Sequence, residues 1–328
     1  MKKSPLEYIL KQLLSGEFVS GEEIAQNLNI SRTWVWNQIK ILKQLGFKIE
    51  SSAKKGYRLI STPDVLIPPL IKPYLRTERL GKKIYFFEEL SSTQDKARQL
   101  AEDDEDEGTL ILCERQLKGR GRRGRKWVHI PQKSLSFSII LRPKLSPLEV
   151  MQLPLVAGVA ICKAINAYTN LRAQLKWPND ILINNKKAVG ILAEMSGDTD
   201  FVDYVILGIG INVNLDKADI PHELRDYTTS LYLEGGKFLK RAHLLGNILM
   251  YLEYWYDIYL KQGFKSIRTK WIELSNTIDK DIIVFFKDKK LYGRAIDLDE
   301  NGNLIVLDEK NNIHNIMYGD VSIRSNTT

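Results

Sequence analysis

Residues 115–127 read R-Q-L-K-G-R-G-R-R-G-R-K-W. From Arg115 to Lys126 the stretch holds seven cations, three glycines and no acid. It has no apolar stripe to bury and its like charges repel, so taken alone it is expected to be a mobile loop. Glycine allows close backbone approach and positive φ, and arginine offers forked donors that suit phosphate or carboxylate. An anion entering the loop would collect several donors and order it. Composition leaves two readings, a solvated or nucleic-acid-binding basic loop and a seat for a small anion. The flanks favour the second. A β-like run, Leu110–Leu112, precedes the loop, Trp127 closes it, and another β-like run, Leu135–Leu141, follows. A basic tail would not be strung between buried strands.

Working outward, Ile84–Glu88 reads as a strand running into Ser91-Ser92-Thr93-Gln94 and a helix from about Gln94 to Glu102. Ser92 or Thr93 is placed to cap that helix, and a strand feeding a capped helix also presents hydroxyls and free N–H groups to a ligand. Downstream, Ser146-Pro147-Leu148-Glu149 opens a long helix with a capping box and an early proline. Pro154 should kink it. Lys176-Trp177-Pro178-Asn179-Asp180 is a polar knot between strands Ala173–Trp177 and Ile181–Asn184. Lys187–Met195 and the strand Tyr204–Val213 follow. Gly208 and Gly210 leave one face of that last strand bare, with room for something flat or bulky. G-I-G-I-N-V lacks the third glycine and the helix of a dinucleotide fingerprint. Short turns between these strands imply an α+β fold, with a mixed, largely antiparallel sheet and helices on one face.

The amino-terminal part has a different rhythm. Leu6, Ile9, Leu10, Leu13 and Leu14 recur at helical spacing. Ser20-Gly21-Glu22-Glu23 opens a short helix, and Ser31 caps a second one over Arg32–Leu45, stopped by Gly46. Phe47–Glu50 and Gly56–Ile60 alternate as strands about a basic turn. Three helices and a basic hairpin make a winged helix-turn-helix over residues 1–62, its motif spanning about 21–40. Such a module sets its second motif helix in the major groove. Arg32, Thr33, Trp36, Asn37 and Lys40 lie on that helix's polar side, with Lys54, Lys55 and Arg58 for the wing; use of the module for protein contact is the alternative. Trp34 and Trp36 cannot both face the core. Four prolines between Thr62 and Pro73 mark a linker, taken as 63–80.

At the other end, 231–263 and about 265–274 are helical. Residues 281–286, 290–298, 303–308 and 311–317 read as short strands with turns at Lys287-Asp288-Lys289, Asn301-Gly302 and Lys310–Asn312. They imply a small SH3-like barrel over 275–328, behind a central domain over 81–274. The chain's 328 residues, 44% apolar and 27% charged, describe an ordinary globular protein. No apolar run approaches the roughly 20 residues of a membrane span, so no membrane partner is expected. Cys113 and Cys162 lack metal-ligand spacing and read as buried, reduced thiols, which points to the cytoplasm. The net charge of +8 is concentrated in residues 1–62 and the glycine-arginine loop. The acidic run Glu102–Glu107 reads as a solvated turn.

G-R-G-R-R-G-R-K-W, K-W-P-N-D, K-A-V-G-I and G-I-G-I-N-V, in that order and spacing, resemble the biotin protein ligase family. With the winged helix in front and the β-domain behind, the whole chain resembles its bifunctional branch, ligase and biotin-operon repressor together. The resemblance implies a class II synthetase-like ligase domain. It also implies ATP-dependent activation of biotin to biotinyl-5′-AMP and transfer to one lysine of a biotin carboxyl carrier protein domain of acetyl-CoA carboxylase. Ser92, Thr93, Gln94, Gln116, Arg120, Gly121 and Arg122 would contact biotin, with Lys187 against its carboxyl and phosphate oxygens. Arg122, Arg125, Trp127, Asn179, Gly210 and Asn212 would serve the nucleotide, and Gly208 and Gly210 would leave room for the ligand. Arg122, Lys187, Arg125 and Asp180 would carry the chemistry. Mg2+ would enter with ATP and without a protein cage, and Asp180 would help hold it or orient the acceptor lysine. Gly21 and Ser31 join the DNA-binding set. The family often has asparagine where Gln94 stands, and Lys186 competes with Lys187 for register. The implied partners are a palindromic operator and a second copy of the chain, with biotinyl-5′-AMP as corepressor favouring the homodimer. A biotin sensor without ligase activity and a ligase for lipoate or a related acyl group are the competing readings.

Overall fold

The computed structural model describes residues 5–198, 201–286 and 289–323. Two compact units divide between Pro73 and Tyr74. In the first, α1 (Pro5–Leu13), α2 (Gly21–Leu28) and α3 (Arg32–Gln44) enclose Ile9, Leu10, Leu13, Ile24, Val35, Ile39 and Leu42. Ser20 Oγ accepts from Glu22 N and Glu23 N to cap α2, and Asn29, at φ 53°, turns the chain left-handed into the next cap. Ser31 Oγ then accepts from Trp34 N at 3.1 Å, and Gly46, at φ +91°, follows the end of α3. β1 (Lys48–Ser52) and β2 (Gly56–Ser61) pair as the antiparallel wing. The two tryptophans divide as their spacing requires: Trp34 packs against the core while Trp36 stays 53% exposed. Prolines do not leave 63–73 bare, because Pro68 starts a single helical turn, α4 (Pro68–Ile71). Its Leu70 joins the core of the first unit.

The second unit is built on a seven-stranded sheet. Its strands are β3 (Ile84–Leu90), β4 (Leu110–Gln116), β5 (Ser134–Leu141), β6 (Ala173–Lys176), β7 (Asp180–Ile183), β8 (Lys186–Gly197) and β9 (Val202–Asn212), in the order β3-β4-β5-β9-β8-β7-β6. Only β3 and β4 run parallel. The helices cover both faces, not one. α5 (Thr93–Glu102) packs Ala97, Leu100 and Ala101 on the face of Ile111, Ile140 and Ile206. α7 (Leu153–Tyr168) lies on the other face, where its Gly158 closely approaches Leu175 and Ile191; Ile191 pairs with Ile209, one step out of phase with Gly208. The reason lies in β9, which is buried from Tyr204 onward without polar alternation. A strand apolar on both sides needs a layer on each.

Pro154 breaks the long helix outright. α6 (Pro147–Val150), with its reciprocal Ser146–Glu149 capping box, ends before α7 begins, and Pro154 falls in the first turn of α7 where its missing N–H costs nothing. Residues 147–168 are long and apolar enough to cross a membrane by length and composition, contrary to the expectation above. Eleven residues of α7 are instead buried inside the unit, which makes it a core helix. The stretch 231–263 is likewise two helices. α8 (Leu231–Gly235) stops at Gly236, at φ 65°, and α9 (Arg241–Gln262) starts afresh, followed by α10 (Phe264–Glu273).

Five antiparallel strands close the chain: β10 (Asp281–Phe285), β11 (Lys290–Leu298), β12 (Leu304–Asp308), β13 (Ile313–Ile316) and β14 (Asp320–Ile323), in the order β13-β12-β11-β10-β14. The turn expected at Lys287-Asp288-Lys289 has its first two residues outside the described ones. The last strand, β14, was not anticipated, because four residues after Gly319 are too short for alternation to register. The acidic run is not merely solvated either. Tyr85 donates to Glu105 at 2.7 Å and Tyr256 to Glu107 at 2.9 Å. Both cysteines are buried and free, and burial pushes each thiol up to about 12.

Candidate active site

On the face of the sheet that α5 packs against, beyond the helix, lie Gly190, Gly208 and Gly210, and a cleft forms above them. At one end the β3–α5 junction supplies its polar groups. Ser92 Oγ accepts from Gln94 N at 3.2 Å; Thr93 donates to Gln116 Oε1 from both its N–H (2.9 Å) and its hydroxyl (3.1 Å). Gln94 is tied at both ends of its carboxamide. Its Oε1 accepts from Ser138 at 2.8 Å, and its Nε2 donates to Glu194 at 2.9 Å and, at 3.4 Å, to the Ile206 carbonyl. A Cβ on Gly208 would lie 2.6 Å from Gln94 Oε1. On Gly210 it would lie 2.4 Å from the Trp127 indole, and on Gly190 3.0 Å from it. The glycines therefore make room first for this chain's own Gln94 and Trp127. Gly208 and Gly210 also line the cleft.

The arginine loop closes on itself through its own backbone. Gly121 N donates to Arg125 O at 2.7 Å and Trp127 N to Gly119 O at 2.9 Å, while Arg122–Gly124 makes one tight turn with Arg123 at φ 56°. Its repulsion is answered by acids that the loop itself lacks. Arg120 meets Glu194 of β8 at 2.9 Å and Asp95 of α5 at 3.0 Å. Arg123 meets Asp320 of β14 at 3.2 Å, and Arg125 meets the same carboxylate. Arg122 donates to Asn179 Oδ1 at 3.2 Å. Burial pushes the Arg122 guanidinium below its ordinary range, with Asp320 pulling the other way. Desolvation also lowers Lys176, against the pull of Asp180.

Lys187 Nζ lies 2.6 Å from Asp180 Oδ1, an ion contact outside hydrogen-bonding geometry, and 5.7 Å from the Trp127 ring centre. Lys186 points elsewhere and donates to the Arg225 carbonyl at 3.0 Å. The geometry thus separates the two lysines that the sequence leaves in competition. Ser92, Thr93, Gln94, Gln116, Arg120, Gly121, Arg122, Arg125, Trp127, Asn179, Asp180, Lys187 and Gly210 all line the one cleft. Asn212 does not. It is buried, donates to the Thr229 carbonyl at 3.0 Å, and lines an adjoining recess behind Trp127 with Leu215, Ile220 and Leu224. Among the described residues no three His, Cys, Asp or Glu side chains come together as a metal cage.

Residues 86–212 match the Biotin/lipoate A/B protein ligase family, 5–58 an HTH domain and 277–324 the Biotin protein ligase C terminal domain. A bifunctional ligase/repressor from Bacillus spizizenii is 38% identical over 324 residues, covering 98% of this chain and 99% of that protein. The chain belongs to the bifunctional biotin ligase/repressor family. A biotin–[acetyl-CoA-carboxylase] ligase from Paracoccus denitrificans is 31% identical over 199 residues, 60% of this chain and 82% of that one. Among solved structures, biotin protein ligase from Aquifex aeolicus in complex with biotin and ATP aligns with a TM-score of 0.64 at 33% identity, covering 74% of this chain and 99% of that one.

Within this family member, sequence reading missed Glu194, Asp320 and Gly190. Glu194 sits in an apolar strand, where a lone acid facing a site is a visible signal. Asp320 had none, since its strand was not recognised. In the first unit, Arg32, Thr33, Trp36, Asn37 and Lys40 are exposed along α3. Ser31 is occupied as a cap, and Gly21 lies under Tyr57, whose ring would be 3.0 Å from an added Cβ. Both serve the fold of the motif.

Proposed function

We propose that this chain joins biotin to ATP as biotinyl-5′-AMP, passes the biotinyl group to one lysine of a biotin carboxyl carrier protein domain, and represses transcription through its helix-turn-helix. The observation that carries the ligase reading is the convergence of Arg122, Arg125, Lys176 and Lys187 on one cleft already floored by Trp127. Attack of a carboxylate on the α-phosphate brings two anions together. Fixed cations in a partly dehydrated cleft lower that repulsion and stabilise the charge that develops. Arg122 is held by Asn179 and Lys187 by Asp180, so neither has to reorganise as charge builds. Mg2+ would enter on the phosphates. One carboxylate, Asp180, fits a cation that takes few protein ligands and keeps its waters. No side-chain nucleophile is required. The arginine loop keeps water from the mixed anhydride, which hydrolyses readily. Pyrophosphate exchange into ATP, run side by side with biotin, lipoate and octanoate, tests this; exchange with lipoate or octanoate but not biotin would overturn it.

A single winged helix reads one half-site, so the repressor acts as a two-fold dimer on a palindromic operator. The adenylate acts as corepressor by favouring the dimer through differential affinity. The reduced thiols support a cytoplasmic location. Sedimentation velocity and operator titrations, each with and without adenylate, check the switch. Equal dimerisation and equal operator affinity in both states would remove it.

A further inference from the structure

His129 follows the arginine loop and is buried, yet both ring nitrogens are engaged. Nε2 lies 2.9 Å from the Glu114 carbonyl and Nδ1 lies 2.9 Å from Ser136 Oγ. A carbonyl can only accept, so Nε2 must carry the proton. Burial disfavours the imidazolium, which leaves Nδ1 as a bare acceptor. The proton between Nδ1 and Oγ must then come from Ser136. Glu114 is itself fixed: its carboxylate takes the buried Arg241 at 2.9 Å and the Gln132 N–H at 2.6 Å. The carbonyl that sets the His129 tautomer is thus on a rigid strand. Ser136 pairs with Gly210 on β9 and lines the cleft. With its one proton committed to His129, its hydroxyl oxygen can offer the cleft only a lone pair. The neighbouring Ser138 differs, since its hydroxyl is taken up within the site wall by Gln94 Oε1 at 2.8 Å and Thr93 Oγ1 at 2.9 Å.

We propose that His129 is a positioning residue that locks Ser136 as a hydrogen-bond acceptor, so that Ser136 binds a donor group of the substrate. This rests on the biotin-ligase reading above, which offers two donor sources, a ureido N–H of biotin or a ribose O–H of ATP. An acyl chain such as lipoate has no such donor to give.

Three measurements test it. Long-range proton–nitrogen NMR on the wild-type protein reads the His129 tautomer directly, whether or not the protein is active. The Nε2–H neutral form is expected, and an Nδ1–H form would overturn the proposal. Ser136→Ala should weaken one substrate roughly tenfold, the worth of one net hydrogen bond, with kcat little changed. Weaker biotin binding by calorimetry without ATP assigns the donor to biotin. An increased KM for ATP with biotin binding intact assigns it to ribose. No change in either overturns the proposal. His129→Phe fills the volume without accepting a proton and should reproduce the Ser136→Ala defect. His129→Gln can accept and donate at the same two places and should restore it; a Phe variant as good as the Gln variant would reduce His129 to packing. If the wild type shows no biotin-dependent exchange, the ligase reading fails while the tautomer still decides the lock.

Discussion

The cations of the cleft and those of the helix-turn-helix solve opposite problems with the same residue types. Around the cleft, Arg120, Arg122, Arg123 and Arg125 are held by Glu194, Asp95, Asn179 and Asp320, groups that arrive from β8, α5, the 177–179 turn and β14. Along α3 and the wing, Arg32, Lys40, Lys54 and Lys55 stand exposed, and Arg32 has only a loose 3.7 Å contact with Glu22. Fixed partners aim a guanidinium before the ligand comes, which catalysis rewards. A polyanion that releases its own counterions needs no such aiming, only access. Charge count is therefore a poor guide to role; the origin of the countercharge is a better one.

Removing the first unit breaks the comparison most completely. Cutting after Pro73, where the compact unit ends and Leu70 remains with its core, should abolish operator binding, read by gel shift, while pyrophosphate exchange persists. Operator binding in the truncated protein would refute the assignment of DNA contact to α3. Next in size, Arg122→Ala should lower adenylate synthesis by about 10²–10³-fold, like loss of one oxyanion donor, and leave operator binding measured without biotin and ATP unchanged. Near-normal exchange would sink the role given to Arg122. Gly210→Ala drives a methyl into the Trp127 indole, so overpacking should cost about 1–3 kcal/mol in thermal or urea unfolding. Unchanged stability would mean that the indole does not rest there. The smallest effect belongs to Asp320→Asn. It loosens Arg123 and Arg125 at a partly exposed site, worth about 1 kcal/mol or less, and should appear as a modest rise in the KM for ATP that high salt erases.

What the sequence made legible follows a physical divide. Local signals survived. Ser20, Ser31 and Ser146 cap helices where they stand, and the apolar run of 204–212 and the alternation of 290–298 gave strands. The arginine loop and the K-W-P-N-D turn were read as one site from the family resemblance that their motifs carry. Signals that depend on remote partners did not survive. Nothing in R-G-R-R-G-R states that its neutralising acids lie at 95, 194 and 320. Gly208 and Gly210 announced vacant space but not its tenants, Gln94 and Trp127. The both-sided burial of β9 was written in its unbroken apolar run, yet the short turns around it drew attention to one face only.

The bond between Arg125 and Asp320 spans 195 residues of chain. On a ribosome adding about 5–20 residues per second, roughly 10–40 s separate the emergence of the two. Throughout that interval the nascent loop carries its positive charge without the carboxylate that will hold two of its arginines, next to a strongly anionic ribosomal surface. The countercharge for Arg123 and Arg125 thus reaches the loop only after everything from β5 to β13 has been made.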